Sequence, residues 1–399
     1  MRAVKLQFFL SFAVMGSIMP FLSVYFKEDR GLTETQIGYV IGSASFAVLI
    51  TPALATLLAD TRLDPRRLAG LTFVLSGSFL FLMAFFEGFW PTLLLFSLHS
   101  LAFVTMIPLQ DGMNFSIQRK REDAGAHQVP YHRIRVWGTV GFIIPSLIIY
   151  MLLQTGTTTA VILFTAFFFA LLGLLNTWFI PDPRKAMPVS EDSSANPIRN
   201  LPSLSAVRAL LRVNVLVFCI GMALAHIAST AYFAFYPLYL TEVVGLDRKW
   251  IGLVFNLGVA IEIVFVLALG KMIEAFGLRK LIVTGIVCMA VRMALLALFP
   301  TAGIAIAGQI LHGLIVIGLV IVPVMYLNRQ AEDRYRNSIQ GIYIMTVVGG
   351  SRIGGSVLAG HLAQSSLILL FLISATLCLV TVGLFIFAFR VEAHDRLPL

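Results

Sequence analysis

Formal charge is scarce in this chain. Asp, Glu, Lys and Arg make up only 12% of its 399 residues, against about 25% in soluble domains. So few charges cannot cover a water-facing surface of this size, which excludes a soluble globular protein. Cysteine is scarce as well: Cys219, Cys288 and Cys378 stand singly in apolar runs, without the spacing of a disulfide framework or a thiol-bound metal. No Gly-x-x-x-x-Gly-Lys-Ser/Thr run occurs, so nothing supports a nucleotide-driven pump. No catalytic or metal-ligating set emerges, and the expectation is a non-enzyme without cofactors. Acids are outnumbered, 20 against 29 Lys and Arg, for a net charge of +9. The basic residues form short clusters between apolar spans and no continuous patch, which argues against nucleic acid.

What fills the chain is hydrocarbon: 58% of residues are hydrophobic, and 32 are Phe. A helix needs about 20 apolar residues to cross a bilayer, so twelve crossings use roughly 240. Hydropathy places twelve spans, among them 92–117 (the fourth), 134–153 (the fifth), 250–269 (the eighth) and 281–299 (the ninth). The first span lacks a small-residue cleavage site and is expected to stay as a signal-anchor helix. Only Lys27, Arg30, Arg248 and Lys249 fall in loops after odd-numbered spans. Lys and Arg resist translocation, so both termini are expected in the cytoplasm. A polar segment, 181–212, separates an N-terminal six-helix bundle (1–180) from a C-terminal one (213–399).

The two halves repeat. Gly31-Leu32-Thr33-Glu34-Thr35-Gln36-Ile37-Gly38 and Gly245-Leu246-Asp247-Arg248-Lys249-Trp250-Ile251-Gly252 share four identities, and the same offset carries Asp60 onto Glu274. Parallel repeats of this kind mark the major facilitator architecture. After the second span come Asp60, Arg62, Arg66 and Arg67; after the eighth, the run from Gly270 to Lys280. These segments resemble the acid-and-basic cytoplasmic loop motif of the major facilitator superfamily. The resemblance covers the whole chain and implies an all-α membrane protein of twelve helices in two pseudo-symmetric bundles. It makes Asp60, Arg66, Glu274, Arg279 and Lys280 candidate gating-loop residues, forming a contact that must break when the inward side opens.

Ionisable groups inside spans are expensive, at least about 2.5–3.5 kcal/mol at mid-bilayer, and belong at a bundle interior or a wet cavity. The carboxylates are Asp111 and Glu262; the cations are Arg135, Arg292 and Arg352, joined by His99, His226 and His312, with His361 near an edge. A buried acid near a cation can gain and lose a proton as access alternates. Span four reads Pro108-Leu109-Gln110-Asp111-Gly112-Met113-Asn114, and span five begins Arg133-Ile134-Arg135-Val136-Trp137-Gly138. This is similar to the branch of proton symporters that holds the lactose permease and the nucleoside symporters and, more closely, to the phenylpropionate permease group near it. The lactose permease holds its sugar on the matching acid and second arginine, so the resemblance assigns Asp111 and Arg135 to the solute.

Gly258-Val259-Ala260-Ile261-Glu262, Val291-Arg292, Gln309-Ile310-Leu311-His312-Gly313 and the run from His226 through Tyr232 again resemble the phenylpropionate group. The resemblance gives the lactose permease's His/Arg proton site its counterparts in His312 and Arg292. That permease carries its proton on a glutamate one turn after the histidine, where this chain has Ile315. Glu262 is therefore the expected carrier, with Asp111 second. The candidate solute-binding set is Asp111, Asn114, Arg135, His226, Tyr232, Asn256, Gln309 and Arg352. Arg352 lies in a glycine-rich run, 349–355, where it is expected either to attract an anionic solute or to snorkel.

Two arginines and an acid suit a hydroxylated neutral solute or a small carboxylate. The expected function is proton-coupled uptake of a nucleoside, sugar or aromatic acid by a monomer in the bacterial inner membrane. A proton-driven exporter of lipophilic compounds and a non-cycling sensor or channel are the alternatives.

Overall fold

A chain in hydrocarbon must satisfy its backbone N–H and C=O groups internally, and a long apolar run does so as an α-helix. The computed structural model describes residues 1–60, 64–123, 125, 127, 129–183, 204–330 and 336–389, with backbone alone at 51–60, 132, 204, 336 and 337. Among these residues all regular structure is helical. The first six helices are α1 (Arg2–Glu28), α2 (Glu34–Asp60), α3 (Pro65–Met83), α4 (Phe89–Asp123), α5 (Tyr131–Leu153) and α6 (Val161–Thr177). A short linker helix, Leu204–Leu210, precedes α7 (Val213–Glu242), α8 (251–276), α9 (278–298), α10 (Ala302–Arg329), α11 (Ser338–Ser365) and α12 (Leu367–Phe387). This is an all-α membrane protein of twelve transmembrane helices.

Local chemistry sets the helix ends. Asp64 accepts the Arg66 backbone N–H at 3.0 Å and Pro65 opens α3, while the Ser366 hydroxyl accepts from Leu369 at the head of α12. Thr33 and Gln36 exchange bonds between side chains and backbone N–H groups, a capping box at the head of α2. Asp247 accepts the Lys249 N–H at 3.0 Å before α8. That bond, with the nearby Lys249 and Arg248 charges, holds the exposed Asp247 carboxyl below the usual carboxylate range.

Two helix ends differ from the hydropathy reading. Helix α5 starts at Tyr131 and not at 134, because Pro130 ends the preceding loop. This puts Tyr131 on the same helical face as Arg135. The expected loop of about ten residues after span eight is almost wholly helical: the break is Gly277 alone, at φ 74° and ψ 164°. Only glycine adopts this backbone readily, so a single residue replaces the loop.

The repeat seen in the sequence recurs in the bonds. Gly31 and Gly245 both have positive φ, and each turn closes with the same bond, Leu32 N–H to Phe26 C=O at 3.0 Å and Leu246 N–H to Leu240 C=O at 2.8 Å. The buried phenols Tyr25 and Tyr239 are also equivalent. Tyr25 donates to the Met83 carbonyl at the end of α3, and Tyr239 to the Leu296 carbonyl near the end of α9. Each ties the first helix of its half to the third.

The chain forms two compact units, Met1–Leu32 with Phe46–Arg199, and Thr33–Ser45 with Asn200–Leu399. The start of α2 joins the second unit because its backbone touches α11: a Cβ on Gly38 would stand 2.8 Å from the Gly360 Cα. In the first unit α1 and α5 pack equally closely. A Cβ on Gly141 would lie 2.1 Å from the Phe9 carbonyl oxygen, and one on Gly16 2.2 Å from that of Phe142. Small residues that let backbones meet are the usual means of helix association in bilayers.

A methyl group at Gly141 must push α1 away from α5, at a cost on the order of 1–3 kcal/mol. Gly141→Ala is expected to lower the thermal unfolding midpoint of the detergent-solubilised protein by several degrees. Gly383→Ala, where the added carbon meets open space, is expected to leave it unchanged. Equal midpoints for both variants would refute the close-packing account.

Candidate functional site

The first unit assembles one group of polar side chains from three helices. Tyr131 and Arg135 stand one turn apart on α5, and Asp111 projects from α4. The Tyr131 hydroxyl donates to Asp111 Oδ1 at 2.8 Å. The Arg135 guanidinium lies over the Phe12 ring of α1, 4.1 Å from its centroid. The Tyr131 ring stacks on Phe115 at 5.4 Å and meets the edge of Phe8 at 6.4 Å. A carboxylate, a guanidinium and a phenol thus share a setting walled by aromatic rings. Asn114, one turn beyond Asp111, belongs to the buried face of α4, and neither of its amide atoms is hydrogen-bonded. On that face Gln110 accepts from Ser11 of α1 at 2.7 Å.

The second unit assembles a longer chain of groups. Glu262 on α8 is one-third exposed and lies 3.5 Å from His312 Nε2 on α10. The other ring nitrogen, Nδ1, faces Arg292 of α9 at 3.4 Å. A guanidinium only donates, so Nδ1 must accept and Nε2 carries the hydrogen that points at Glu262. The neutral tautomer is therefore assigned by chemistry. Arg292 itself is only 2% exposed. Its guanidinium carbon lies 3.8 Å from the centre of the Tyr232 ring, a desolvated cation–π contact worth about 2 kcal/mol.

Tyr232 is held in turn. Gln309 Nε2 donates to the Tyr232 hydroxyl at 2.9 Å and to Tyr236 at 3.0 Å, and Tyr236 donates to the Ala305 carbonyl at 2.8 Å. The Tyr232 and Tyr236 rings stack at 4.5 Å. Gly258 makes room for this arrangement, since a Cβ there would stand 2.6 Å from Gln309 Oε1 and 3.3 Å from His312 Cγ. Glu262, His312, Arg292, Tyr232 and Gln309 are thereby one connected cluster.

The other expected residues lie apart from these two groups. Asn256 is buried on α8. His226 is buried on α7 with Nε2 unbonded, and Arg352, exposed on α11, is near enough for its charge to act on it. His99 bonds Ser76 at 2.9 Å between two phenylalanine rings, a packing role. Of the loop residues, Asp60 has no described side chain. Glu274 and Lys280 are exposed at the facing ends of α8 and α9. Arg66 pairs with Asp64 at 2.7 Å and Asp182 at 3.4 Å and donates to the Ile180 carbonyl just beyond α6. Arg279 donates to the Phe385 and Ile386 carbonyls at the end of α12. Both arginines cap the last helix of their own half.

The MFS_1 like family model matches residues 1–373. The chain belongs to this family. It is a membrane transporter of the major facilitator superfamily and not an enzyme. Among curated proteins this transporter is 27% identical over 371 residues to the probable 3-phenylpropionic acid transporter of Escherichia coli K12, covering 91% of each chain. It is 27% identical over 376 residues to the putative nucleoside transporter YegT of the same organism, covering 88% of this chain and 83% of that one. Among solved structures, the crystal structure of nucleoside transporter NupG superposes with a TM-score of 0.85 at 20% identity, over 98% of this chain and 99% of that one. That likeness is one of fold.

The sequence reading passed over two members of the first group, Tyr131 and Phe12. A signal for Tyr131 is present: it stands four residues before Arg135, the spacing of helix neighbours, but hydropathy starts the span only at 134. Phe12 is one of many phenylalanines, and nothing in sequence marks which ring meets a cation.

In this transporter Tyr232→Leu is expected to cost more thermal stability than Tyr232→Phe, by about 1–2 kcal/mol, because only leucine removes the face on which the buried guanidinium rests. Thermal unfolding in detergent checks this. Equal losses would show that the ring is not the partner of Arg292.

Proposed function

We propose that this transporter is a proton-coupled symporter that takes up a small organic solute, a nucleoside, sugar or aromatic acid, by alternating access. The observation that carries the reading is the Glu262–His312–Arg292 chain. With Glu262 ionised and His312 neutral, the three groups sum to no net charge around a buried guanidinium. Protonating Glu262 leaves a carbonyl oxygen to accept the His312 N–H, so the bond survives while the cluster becomes a cation. A cluster whose charge changes by one on taking up a proton is suited to carry it across a low-dielectric interior. His312 and Arg292 hold the carboxylate in place, and Glu262, partly exposed, is the member that exchanges its proton.

Asp111 and Arg135 are assigned to the solute, which fits the aromatic walls around them and the kinds of cargo named for the relatives, a phenylpropionic acid and nucleosides. Arg352 and His226 provide a second donor set in the other half. Arg66 and Arg279, with Asp60, Glu274 and Lys280, would hold the cytoplasmic helix ends that move during gating. The distribution of Lys and Arg supports cytoplasmic termini in a bacterial inner membrane, and the protein is read as a monomer.

The test is reconstitution. Glu262→Gln in proteoliposomes is expected to abolish uphill accumulation driven by a pH gradient while leaving counterflow of labelled solute intact, because exchange need not release the proton. Full accumulation by that variant would remove Glu262 as the obligatory carrier. The solute is sought by thermal shift of the purified protein against nucleosides, sugars and aromatic acids at two pH values. A true solute at a hundred times its Kd should stabilise by about 2.7 kcal/mol.

A further inference from the structure

Asp111 and Arg135 are close enough to influence one another, yet among the described residues no ion pair joins them. The direct partner of Asp111 is Tyr131, through Oδ1 at 2.8 Å. Arg135 lies within interaction range of the same phenol. From one helical turn before Arg135 on α5, the hydroxyl therefore gives its hydrogen to Asp111. A phenol with an ordinary pKa of about 10 keeps its hydrogen at neutral pH, so this arrangement persists through the working range.

The backbone that carries Tyr131 is pinned. Gln118 on α4 accepts the Val129 N–H at 3.1 Å and donates to the Val129 carbonyl, gripping the chain two residues before Tyr131. The side chain is not pinned in the same way. Tyr131 is 37% exposed and rests on Phe115, itself 57% exposed, and meets the buried Phe8 only edge to face. Displacing the Tyr131 hydroxyl uncovers Asp111 Oδ1.

We infer that Tyr131 is an internal surrogate for a hydroxyl of the cargo: it donates to Asp111 Oδ1 from one turn before Arg135, and a solute hydroxyl takes its place at that oxygen. The inference rests on the assignment of Asp111 and Arg135 to the solute, and it narrows the class. A group that replaces the phenol must donate to the carboxylate, and beside Arg135 it gains if it can also accept. An alcohol does both. The carboxylate of an aromatic acid accepts only, and it would meet Asp111 as a like charge. Hydroxylated solutes, nucleosides or sugars, are therefore favoured over aromatic acids.

The experiment measures equilibrium binding of adenosine, uridine, maltose and 3-phenylpropionate to the purified full chain at neutral pH, with elution volume as the folding check. At least one hydroxylated probe is expected to bind more tightly than 3-phenylpropionate. Tyr131→Phe deletes only the competing oxygen and is expected to tighten that probe about three- to tenfold, the scale of one partly solvated hydrogen bond to a charge. In the Asp111→Asn background the same change is expected to bring no gain, because the charged acceptor is gone. Unchanged or weaker binding by Tyr131→Phe, while Asp111→Asn still weakens the probe, overturns the surrogate and spares the solute assignment. Affinity unaffected by both Asp111→Asn and Arg135→Lys overturns the assignment itself and the surrogate with it. Preference for 3-phenylpropionate, or no binding of any hydroxylated probe, also overturns the inference.

Discussion

A guanidinium removed from water must find partners, and the second unit is organised around meeting that need for Arg292. Among the described residues it has no carboxylate in ion-pair contact; its partners are a neutral imidazole nitrogen and the face of Tyr232. Each partner then needs its own support. His312 uses its second nitrogen on Glu262, and Tyr232 is fixed by Gln309, which also engages Tyr236. One buried cation thus orders side chains from α7, α8, α9 and α10. The carboxylate at the end of this chain, Glu262, is the member left partly accessible.

The two halves share their scaffold and differ in their chemistry. The Tyr25 and Tyr239 ties, the turns at Gly31 and Gly245, and the helix-end caps made by Arg66 and Arg279 occur in both. These are backbone-satisfying contacts, which a duplicated chain keeps because each unpaired carbonyl in a membrane costs several kcal/mol. The polar interiors have diverged. The first unit offers an acid, a phenol and an arginine with aromatic walls; the second offers the histidine-centred cluster. On the proposed reading, the first half would recognise the solute and the second would handle the proton.

Legibility followed the kind of force involved. Helix number, order and the internal repeat were readable because they depend on long runs and local turn chemistry. Asp111, Arg135, Glu262, Arg292 and His312 were readable as a set because an ionisable residue inside an apolar span is rare whatever surrounds it. How these residues connect was not readable. Ile315, standing where the lactose permease has its glutamate, left the acid's partner open, and only the crossing of α8 and α10 brings His312 to Glu262. Nothing in the sequence shows that Gly258 makes room for Gln309 and His312, which come from another helix.

The sequence by itself determined that the chain lies in a membrane, that it folds as a duplicated set of helices, and which few charges fall within the apolar spans. Those properties follow from hydration energies and local backbone preferences, which act residue by residue. Only the tertiary structure decided that the loop after α8 shrinks to Gly277, that the start of α2 joins the second unit, and that Tyr131 bonds Asp111. Each of these depends on how closely two backbones approach or where two helix faces meet. Side-chain contacts between helices far apart in the chain are set by three-dimensional packing, and no local pattern encodes them.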